Sequence, residues 1–387
     1  MLTLIRDASV IAPEALGPRD ILAAGEGIVA VAEPGTISIS GAEVAEIDGS
    51  GLFALPGLVD SHVHLLGGGG EGGPATRAPE IRIEDIVSAG VTTVIGCLGT
   101  DGVTRHPSSL IAKARGLEIE GITAFIYIGS YELPVRTVTG SVRSDLALLP
   151  PIVGAGEIAI SDHRSAQPTF DELARLAAEC RVGGMLGGKP GILHLHLGDG
   201  ERALELVFRI IEETEIPATQ IIPTHCNRNP GLLDEAFRFV AEGGRIDLTA
   251  GIAEHPPAVD VATAVRLAVE RGAALDRISV SSDANGSLPV FDDNGNLVAL
   301  DVASQKTLLE QLAKMVRDGI LELPEATALF TANPARFYGL DRKGRVAPGA
   351  DADLMLLDQD FRLVHVLARG RRAVSHGSVV FRGTFSA

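Results

Sequence analysis

Two histidines, His62 and His64, are separated by a single residue and are followed by a run of glycines at 67–70. Side chains on a β-strand alternate between its faces, so both imidazoles point the same way if this stretch is a strand. The glycine run cannot extend the strand, and it leads to a carboxylate, Glu71. This spacing suits a metal site followed by a substrate loop, and it equally suits core histidines before an ordinary turn.

Further residues with metal-binding side chains follow other short apolar runs. Imidazole nitrogen and carboxylate oxygen both bind zinc-like ions at about 2 Å. Because the same residue types recur where several runs end, metal binding is favoured over a set of unrelated core histidines. Two neighbouring ions need a bridging carboxylate, and Glu157 lies midway along the series. In chain order, the additional candidates are Glu157, His196, His225 and Asp283.

The elements that position these residues alternate in type along the chain. Eight nearly continuous apolar runs are separated by segments with apolar residues at three- and four-residue spacing, which is typical of helices. Eight buried parallel strands predict an α/β fold, a (β/α)8 TIM barrel whose catalytic residues lie at the carboxyl ends of the strands. An open doubly wound sheet is the alternative. The predicted strands are 55–65, 92–99, 123–131, 156–160, 191–198, 221–226, 245–251 and 278–284.

The two ends of the chain are different in character from the middle. Residues 1–54 and 342–387 contain short strand-like pieces, with Gly, Pro and Asp at the predicted turns. We expect these two segments to combine into one small β-domain. The barrel, with all the candidate metal ligands, then occupies residues 55–341.

Composition and charge exclude several classes of function. The 387 residues carry a formal net charge of −17 and no basic cluster, which argues against nucleic acid or an anionic membrane surface as a partner. The three cysteines, Cys97, Cys180 and Cys226, are scattered, so a reducing compartment is expected. The first residues lack the pattern of a signal peptide, and no apolar run reaches the roughly 20 residues of a membrane helix. The sequence predicts a soluble cytoplasmic protein.

Several longer motifs resemble the amidohydrolase superfamily and, more closely, its isoaspartyl (β-aspartyl) dipeptidases. The resemblance covers the whole predicted barrel and continues into GRVAPGADADLMLLD, which is similar to the returning β-domain of that superfamily. In the order of the family, the motifs are HVHLLGGGGEGGPATRAPE, YELPVRTVTGSV, ISDHRSAQP, RVGGMLGGKPG, PTHCNRN and SSDANGSLPVFDDNGNL.

The resemblance implies a binuclear metal centre that hydrolyses isoaspartyl dipeptides. It implies that His62 and His64 bind one divalent ion together with Asp283, and that His196 and His225 bind the second. Zinc is the expected metal. A hydroxide between the two ions is expected to attack the amide carbonyl, with Asp283 as the general base and acid.

The resemblance also assigns the residues that contact the substrate. Tyr131 matches the tyrosine that polarises the scissile carbonyl, and Glu71 matches the carboxylate that binds the substrate ammonium. Arg164 and Arg228 match the arginines that bind the substrate carboxylates, and Ser287 is expected to make a polar contact. Without the resemblance, a rim tyrosine, a solvated loop carboxylate and two surface ion pairs are the ordinary interpretations.

The sequence departs from the family at one position and leaves other functions open. Where the family usually carries a carboxylated lysine, this chain has Glu157, which is expected to bridge the two ions directly and without bicarbonate. One alternative function is dihydroorotase-like ring opening or deacylation of an N-acyl amino acid. Another is a non-catalytic assembly protein on the same fold. Similarity to the family further implies a homo-oligomer.

Overall fold

The computed structural model of the protein describes residues 1–252, 257–291 and 297–386. Its strands form two large sheets, one parallel and one mixed, together with two strand pairs. In chain order, the strands are β1 (Leu2–Ile11), β2 (Ala15–Ala24), β3 (Gly27–Ala32), β4 (Val44–Asp48), β5 (Phe53–Pro56), β6 (Leu58–Val63), β7 (Val91–Gly96), β8 (Thr123–Ile128), β9 (Ile152–Ile160), β10 (Ile192–Leu197), β11 (Ile221–Thr224), β12 (Ile246–Thr249), β13 (Ile278–Ser281), β14 (Ser287–Phe291), β15 (Leu297–Val302), β16 (Leu354–Leu357), β17 (Leu363–Ala368), β18 (Arg371–Ser375) and β19 (Ser378–Val379).

The parallel strands enclose a barrel. Six of them, β6 to β11, pair in sequence order, and β12 pairs in parallel with β13. The Cys226 N–H donates to the Asp247 carbonyl at 3.2 Å, which links the end of β11 to β12. The His64 N–H donates to the Ala284 carbonyl at 2.9 Å, which links the end of β13 back to β6. The ring of eight strands confirms the predicted α/β barrel fold.

The first predicted strand, 55–65, is divided between two sheets. β5 pairs with β16 outside the barrel, whereas β6 pairs with β7 inside it. The division falls at Gly57, where a Cβ atom would lie 2.3 Å from Thr92 Oγ1. Only glycine permits this close approach between the two strands. The apolar run 55–65 continues through the change of sheet, so the sequence pattern does not indicate where the change occurs.

The helices follow the barrel strands, as the apolar spacing predicts. α4 shows how local sequence defines them: it begins with a capping box in which Thr169 and Glu172 exchange hydrogen bonds, and it ends at left-handed Gly188. No helix in the described ranges is both long enough and apolar enough to span a bilayer. The helices are α1 (Ile83–Val87), α2 (Pro107–Glu120), α3 (Val142–Leu148), α4 (Phe170–Gly187), α5 (Glu205–Glu213), α6 (Pro230–Ala241), α7 (Val261–Glu270), α8 (Lys306–Arg317), α9 (Leu323–Phe330) and α10 (Ala332–Phe337).

Both ends of the chain contribute to the second large sheet. Its order is β19-β18-β17-β16-β5-β1-β2-β3, with β4 paired to β1, so N-terminal and C-terminal strands meet where β5 and β16 pair antiparallel. Buried aliphatic side chains such as Ile5, Val10, Ile21 and Leu354 form its core. The domain limits at 54/55 and 341/342 stay a prediction. β5, which spans the first of these limits, pairs within this sheet.

This sheet contains a buried histidine that predicts an acid-dependent loss of stability. His365 is 3% exposed, and its Nδ1 accepts a hydrogen bond from the His376 N–H at 3.4 Å. Burial, with the neighbouring His376 and Arg372, lowers the pKa of His365 to about 4. The neutral ring therefore contributes stability above the ordinary value of 6.5, and this contribution is lost as the pH falls towards 4.

We expect His365→Gln to reduce the dependence of the unfolding free energy on pH between about 6.5 and 4. Denaturant unfolding at a series of pH values measures this slope. His106→Gln, at an exposed position, is the control and is expected to leave the slope unchanged. An equal slope in the His365→Gln variant and in wild type contradicts the prediction.

Candidate active site

The six predicted metal ligands converge at the carboxyl ends of the barrel strands. Two of the histidines lie in β6 and just after it, and the other two lie in β10 and just after β11. Five of the six residues are buried, and the sixth, Asp283, has a side chain that is 20% exposed. The structure thus brings together residues that are far apart in sequence: His62, His64, Glu157, His196, His225 and Asp283.

Glu157 lies at the centre of this group. Its Oε2 is 3.0 Å from His196 Nδ1, 3.4 Å from His62 Nε2 and 3.6 Å from His225 Nε2. Its Oε1 is 3.5 Å from His64 Nε2. Burial acts to raise the pKa of Glu157, but the nearby His62 and His196 hold it well below its usual value. One ionised carboxylate therefore faces all four histidines.

Three of the histidines are held from outside by a partner on the other ring nitrogen. His62 Nδ1 lies 2.8 Å from His194 Nε2, and His225 Nδ1 lies 2.7 Å from Thr249 Oγ1. His196 Nε2 lies 3.0 Å from Asp162 Oδ2. Such partners fix the orientation of a metal-binding imidazole. Each ring is thereby oriented with its remaining nitrogen towards Glu157.

The group could hold a divalent metal ion. His62 Nε2 is fully buried and has no hydrogen-bond partner among the described residues, which is costly unless something else binds it. Imidazole and carboxylate donors suit zinc. Three sets of side chains have ligand atoms that lie, within each set, no more than 4.8 Å apart. The sets are His62, His64, Cys97 and Glu157; His62, His225 and Asp283; and Glu157, His196 and His225.

Asp283 is held in an unusual backbone conformation. Its φ is 56° and that of His225 is 60°, in the left-handed region that non-glycine residues rarely adopt. Asp283 Oδ1 lies 3.0 Å from His64 Nε2 and 3.4 Å from His62 Nε2. Burial acts to raise the pKa of Asp283, but His64, His225 and His62 lower it. An ionised carboxylate is thus directed into the group at some cost in strain.

Two of the predicted substrate residues lie beside His196. The Tyr131 hydroxyl is 2.8 Å from His196 Nδ1, and burial, together with Glu157, raises the pKa of Tyr131 well above its usual value. The phenol is therefore protonated at neutral pH and available as a donor. The Arg164 guanidinium lies 5.3 Å from the centre of the Tyr131 ring and donates to both oxygens of Asp162, at 3.0 and 2.7 Å.

The other predicted substrate residues lie around the mouth of the barrel. Glu71 accepts a hydrogen bond from Thr100 Oγ1 at 2.8 Å and lies 3.4 Å from Arg164 Nη1. The backbone of Arg228 is tied to His225, because the Arg228 N–H donates to the His225 carbonyl at 2.9 Å. Its side-chain Nε is buried and has no hydrogen-bond partner among the described residues. Ser287 begins β14 and packs against the glycine run.

Sequence reasoning passed over some residues that the site uses. Asp162 contacts both His196, a predicted metal ligand, and Arg164, a predicted substrate residue. The signal for Asp162 is its place just after an apolar strand, in the ISDHR motif. His194, which the sequence alone leaves as a packing residue, contacts His62, and its ring stacks on Tyr127 with centroids 4.4 Å apart. No sequence pattern singles out Cys97, which lies beside His64.

A buried arginine holds the glycine run that leads to Glu71. Arg105 is 4% exposed and donates to the carbonyls of Leu66, Gly68 and Gly69 at 3.0–3.2 Å. It also donates to the Ala78 carbonyl at 3.4 Å and to Asp101 Oδ2 at 3.1 Å. The run lies against other backbone, since a Cβ atom at Gly67 would be 2.1 Å from the Ala78 carbonyl oxygen. Arg105 thus fixes a segment that glycine alone would leave mobile.

We expect Arg105→Met to destabilise the protein by about 3 kcal/mol, because several buried carbonyls lose their donor. We also expect faster proteolysis within residues 66–78. Chemical denaturation and mass spectrometry of a limited digest measure the two effects. The matched control is Arg77→Met, since Arg77 is 42% exposed and only 3.8 Å from the same Asp101 carboxylate. That variant should change stability by less than about 0.5 kcal/mol, and equal effects of both substitutions contradict the prediction.

Comparison with known proteins supports the arrangement of the barrel. The amidohydrolase family model matches residues 245–373. The crystal structure of a β-aspartyl dipeptidase from Fervidobacterium islandicum AW-1 in complex with β-Asp-Leu is 46% identical and superposes with a TM-score of 0.92. That likeness covers 98% of this chain and 97% of the dipeptidase.

More distant relatives carry other activities. An adenine deaminase from Halalkalibacterium halodurans is 23% identical over 93% of this chain, and this chain spans only 55% of its length. A dihydroorotase from Geobacter metallireducens is 26% identical, over 81% of this chain and 79% of that enzyme. The identity to the dipeptidase is much higher and extends over both proteins almost completely. The chain therefore belongs to the amidohydrolase superfamily and, within it, to the isoaspartyl (β-aspartyl) dipeptidase family.

Proposed function

We propose that this protein hydrolyses isoaspartyl (β-aspartyl) dipeptides in a metal-dependent reaction. The observation that carries the proposal is the 46% identity, over nearly the full length of both chains, to a dipeptidase solved with β-Asp-Leu. The charges at the barrel mouth support the same substrate. A β-aspartyl dipeptide carries one ammonium group and two carboxylates, and the predicted contact residues are one carboxylate and two guanidinium groups.

The substrate is bound through these charges. Glu71 accepts hydrogen bonds from the ammonium group, replacing its present contact with Arg164 at 3.4 Å. Arg164 and Arg228 bind the two carboxylates, since a guanidinium fork can bond both oxygens of one carboxylate. Asp162 keeps Arg164 in place through two hydrogen bonds. A neutral cyclic amide such as a hydantoin offers no group for several of these charges, so the site favours a dipeptide.

The residues around Glu157 supply the chemistry of amide hydrolysis. Divalent ions held by the four histidines and two carboxylates would lower the pKa of water to about 7 and polarise the carbonyl. Asp283 accepts a proton from the attacking water and delivers it to the leaving nitrogen as the C–N bond breaks. The Tyr131 hydroxyl donates to the carbonyl oxygen, where negative charge develops. Burial of the group excludes competing solvent.

Hydrolysis of β-Asp-Leu beside α-Asp-Leu tests the proposal, using protein purified with zinc and assayed for metal content. We expect rapid cleavage of the β-linked dipeptide, with two metal ions per chain and no comparable cleavage of the α-linked one. Dihydroorotate and N-acetylated amino acids serve as the competing substrates. Cleavage of either of these in place of β-Asp-Leu overturns the substrate assignment and retains the hydrolase. A folded protein that binds two ions and hydrolyses none of them points to the assembly-protein alternative.

A further inference from the structure

The Cys97 thiol lies among the metal-binding side chains but has no role in the reaction described above. Cys97 follows β7 directly and is 1% exposed. Its Sγ lies 3.8 Å from His64 Nδ1. Ligand atoms of Cys97, His62, His64 and Glu157 all lie within 4.8 Å of one another. The thiol therefore belongs to a group of side chains that could hold one ion together.

A second observation points to a ligand at this place. His62 Nε2 is fully buried, has no hydrogen-bond partner among the described residues, and belongs to the same group of four. Donor atoms on one tetrahedral zinc ion lie about 3.5 Å apart when the Zn–S distance is about 2.3 Å and the Zn–N distance about 2.0 Å. The four donors must therefore draw closer by about 1 Å to share one ion.

The backbone after Cys97 is adapted to this close approach. A Cβ atom at Gly99 would lie 2.9 Å from His64 Cε1 and 3.7 Å from Glu157 Oε1. Any other residue at position 99 would push His64 away. The Cys97 N–H donates to the Val63 carbonyl at 2.9 Å, which fixes the cysteine beside the strand that carries both histidines. The thiol is thus held at the group by the barrel itself.

We propose that Cys97 binds, as a thiolate, the divalent ion held by His62 and His64. The inference rests on the metal dependence in the proposed function. Binding of the ion releases the thiol proton to solvent, and a metal–sulfur bond replaces the S–H bond. A thiolate is a softer donor than the oxygens of Glu157 and Asp283, so it adds preference for zinc over magnesium or calcium.

The competing interpretation is that Cys97 only supports the His64 ring from outside. The 3.8 Å contact between Sγ and Nδ1 is compatible with a weak hydrogen bond of this kind. In that arrangement the sulfur stays off the metal, and removing it affects metal binding only through the orientation of His64. The two interpretations differ in whether a metal–sulfur bond exists.

Cobalt substitution distinguishes them. Apoprotein reconstituted with Co²⁺ is expected to show the near-ultraviolet charge-transfer absorption of a cobalt–thiolate bond. Cys97→Ser should lose this band. Cys180→Ser, which removes another buried thiol outside the ligand groups, is the matched control and should keep the band. Loss of the band in Cys97→Ser alone supports the proposal.

Two results overturn it: no charge-transfer band in wild type with two cobalt ions bound, or a band that persists in Cys97→Ser. Zinc K-edge X-ray absorption of wild type gives the same decision if Cys97→Ser fails to fold, because a sulfur scatterer at bonding distance is present only if the thiolate binds. Hydrolysis of β-Asp-Leu is measured on the same samples. Hydrolysis without metal–sulfur bonding overturns only the thiolate, whereas metal–sulfur bonding without hydrolysis overturns only the proposed function.

Discussion

Asp283→Asn is expected to reduce kcat for β-Asp-Leu by about a thousandfold or more, since general acid–base catalysis contributes up to about 10⁴. Asparagine keeps an oxygen donor of similar size but cannot accept the proton of the attacking water or return it to the leaving nitrogen. The contact of Asp283 Oδ1 with His64 Nε2 at 3.0 Å can be kept by the amide oxygen. The fold is therefore expected to be retained while the chemical step is lost.

Steady-state kinetics with metal analysis measures this effect. KM should change little, because the residues proposed to bind the charged groups of the substrate, Glu71, Arg164 and Arg228, are untouched. Asp171→Asn, on the exposed first turn of α4, is the control and should keep wild-type kinetics. If Asp283→Asn keeps both metal ions and more than about a tenth of the wild-type kcat, Asp283 is not the proton acceptor.

The parts of the barrel that could be predicted are those with a local sequence signal. Parallel strands buried on both faces are continuous apolar runs, so all eight barrel strands were visible as such. The predicted boundaries of the strands differ from the observed ones. β9 begins at Ile152, before the predicted start at 156, and β6 ends at Val63, before the predicted end at 65. The change of sheet at Gly57 was invisible, because it depends on contact with Thr92, which lies on another strand.

The candidate ligands could be predicted because each one lies in or just after an apolar strand and matches a motif. The residues behind them could not. Asp162 and His194 act through the outer nitrogens of His196 and His62, and this pairing exists only once neighbouring strands are in register. Arg105 had no signal at all, since a single arginine in a loop gives no indication of the carbonyls that it will contact.

Substitution of Glu157 is expected to have a large effect on both metal binding and catalysis. Glu157→Gln should lose at least one of the two metal ions and reduce kcat/KM by about a thousandfold or more, since metal ions supply several kcal/mol of transition-state stabilisation. The carboxylate faces all four histidines, with one oxygen 3.5 Å from His64 and the other 3.0 Å from His196. An amide has one oxygen donor and no charge, so it cannot serve both ions. Glu179→Gln, on α4, where the carboxylate pairs with Arg143 at 2.6 Å, is the control and should retain both ions.

The same carboxylate predicts how the site assembles. A lysine at position 157 would need carbon dioxide to become a carboxylate, whereas Glu157 is one already, and its pKa is held well below the usual range by His62 and His196. Wild-type apoprotein given zinc in degassed buffer should therefore recover full activity, with no gain from added bicarbonate. Strong dependence on bicarbonate contradicts this prediction, because it requires carboxylation of some other group. The variant Glu157→Lys is the matched comparison. Any activity that it shows should depend on added bicarbonate, which would mean that the residue at position 157 determines the bicarbonate requirement.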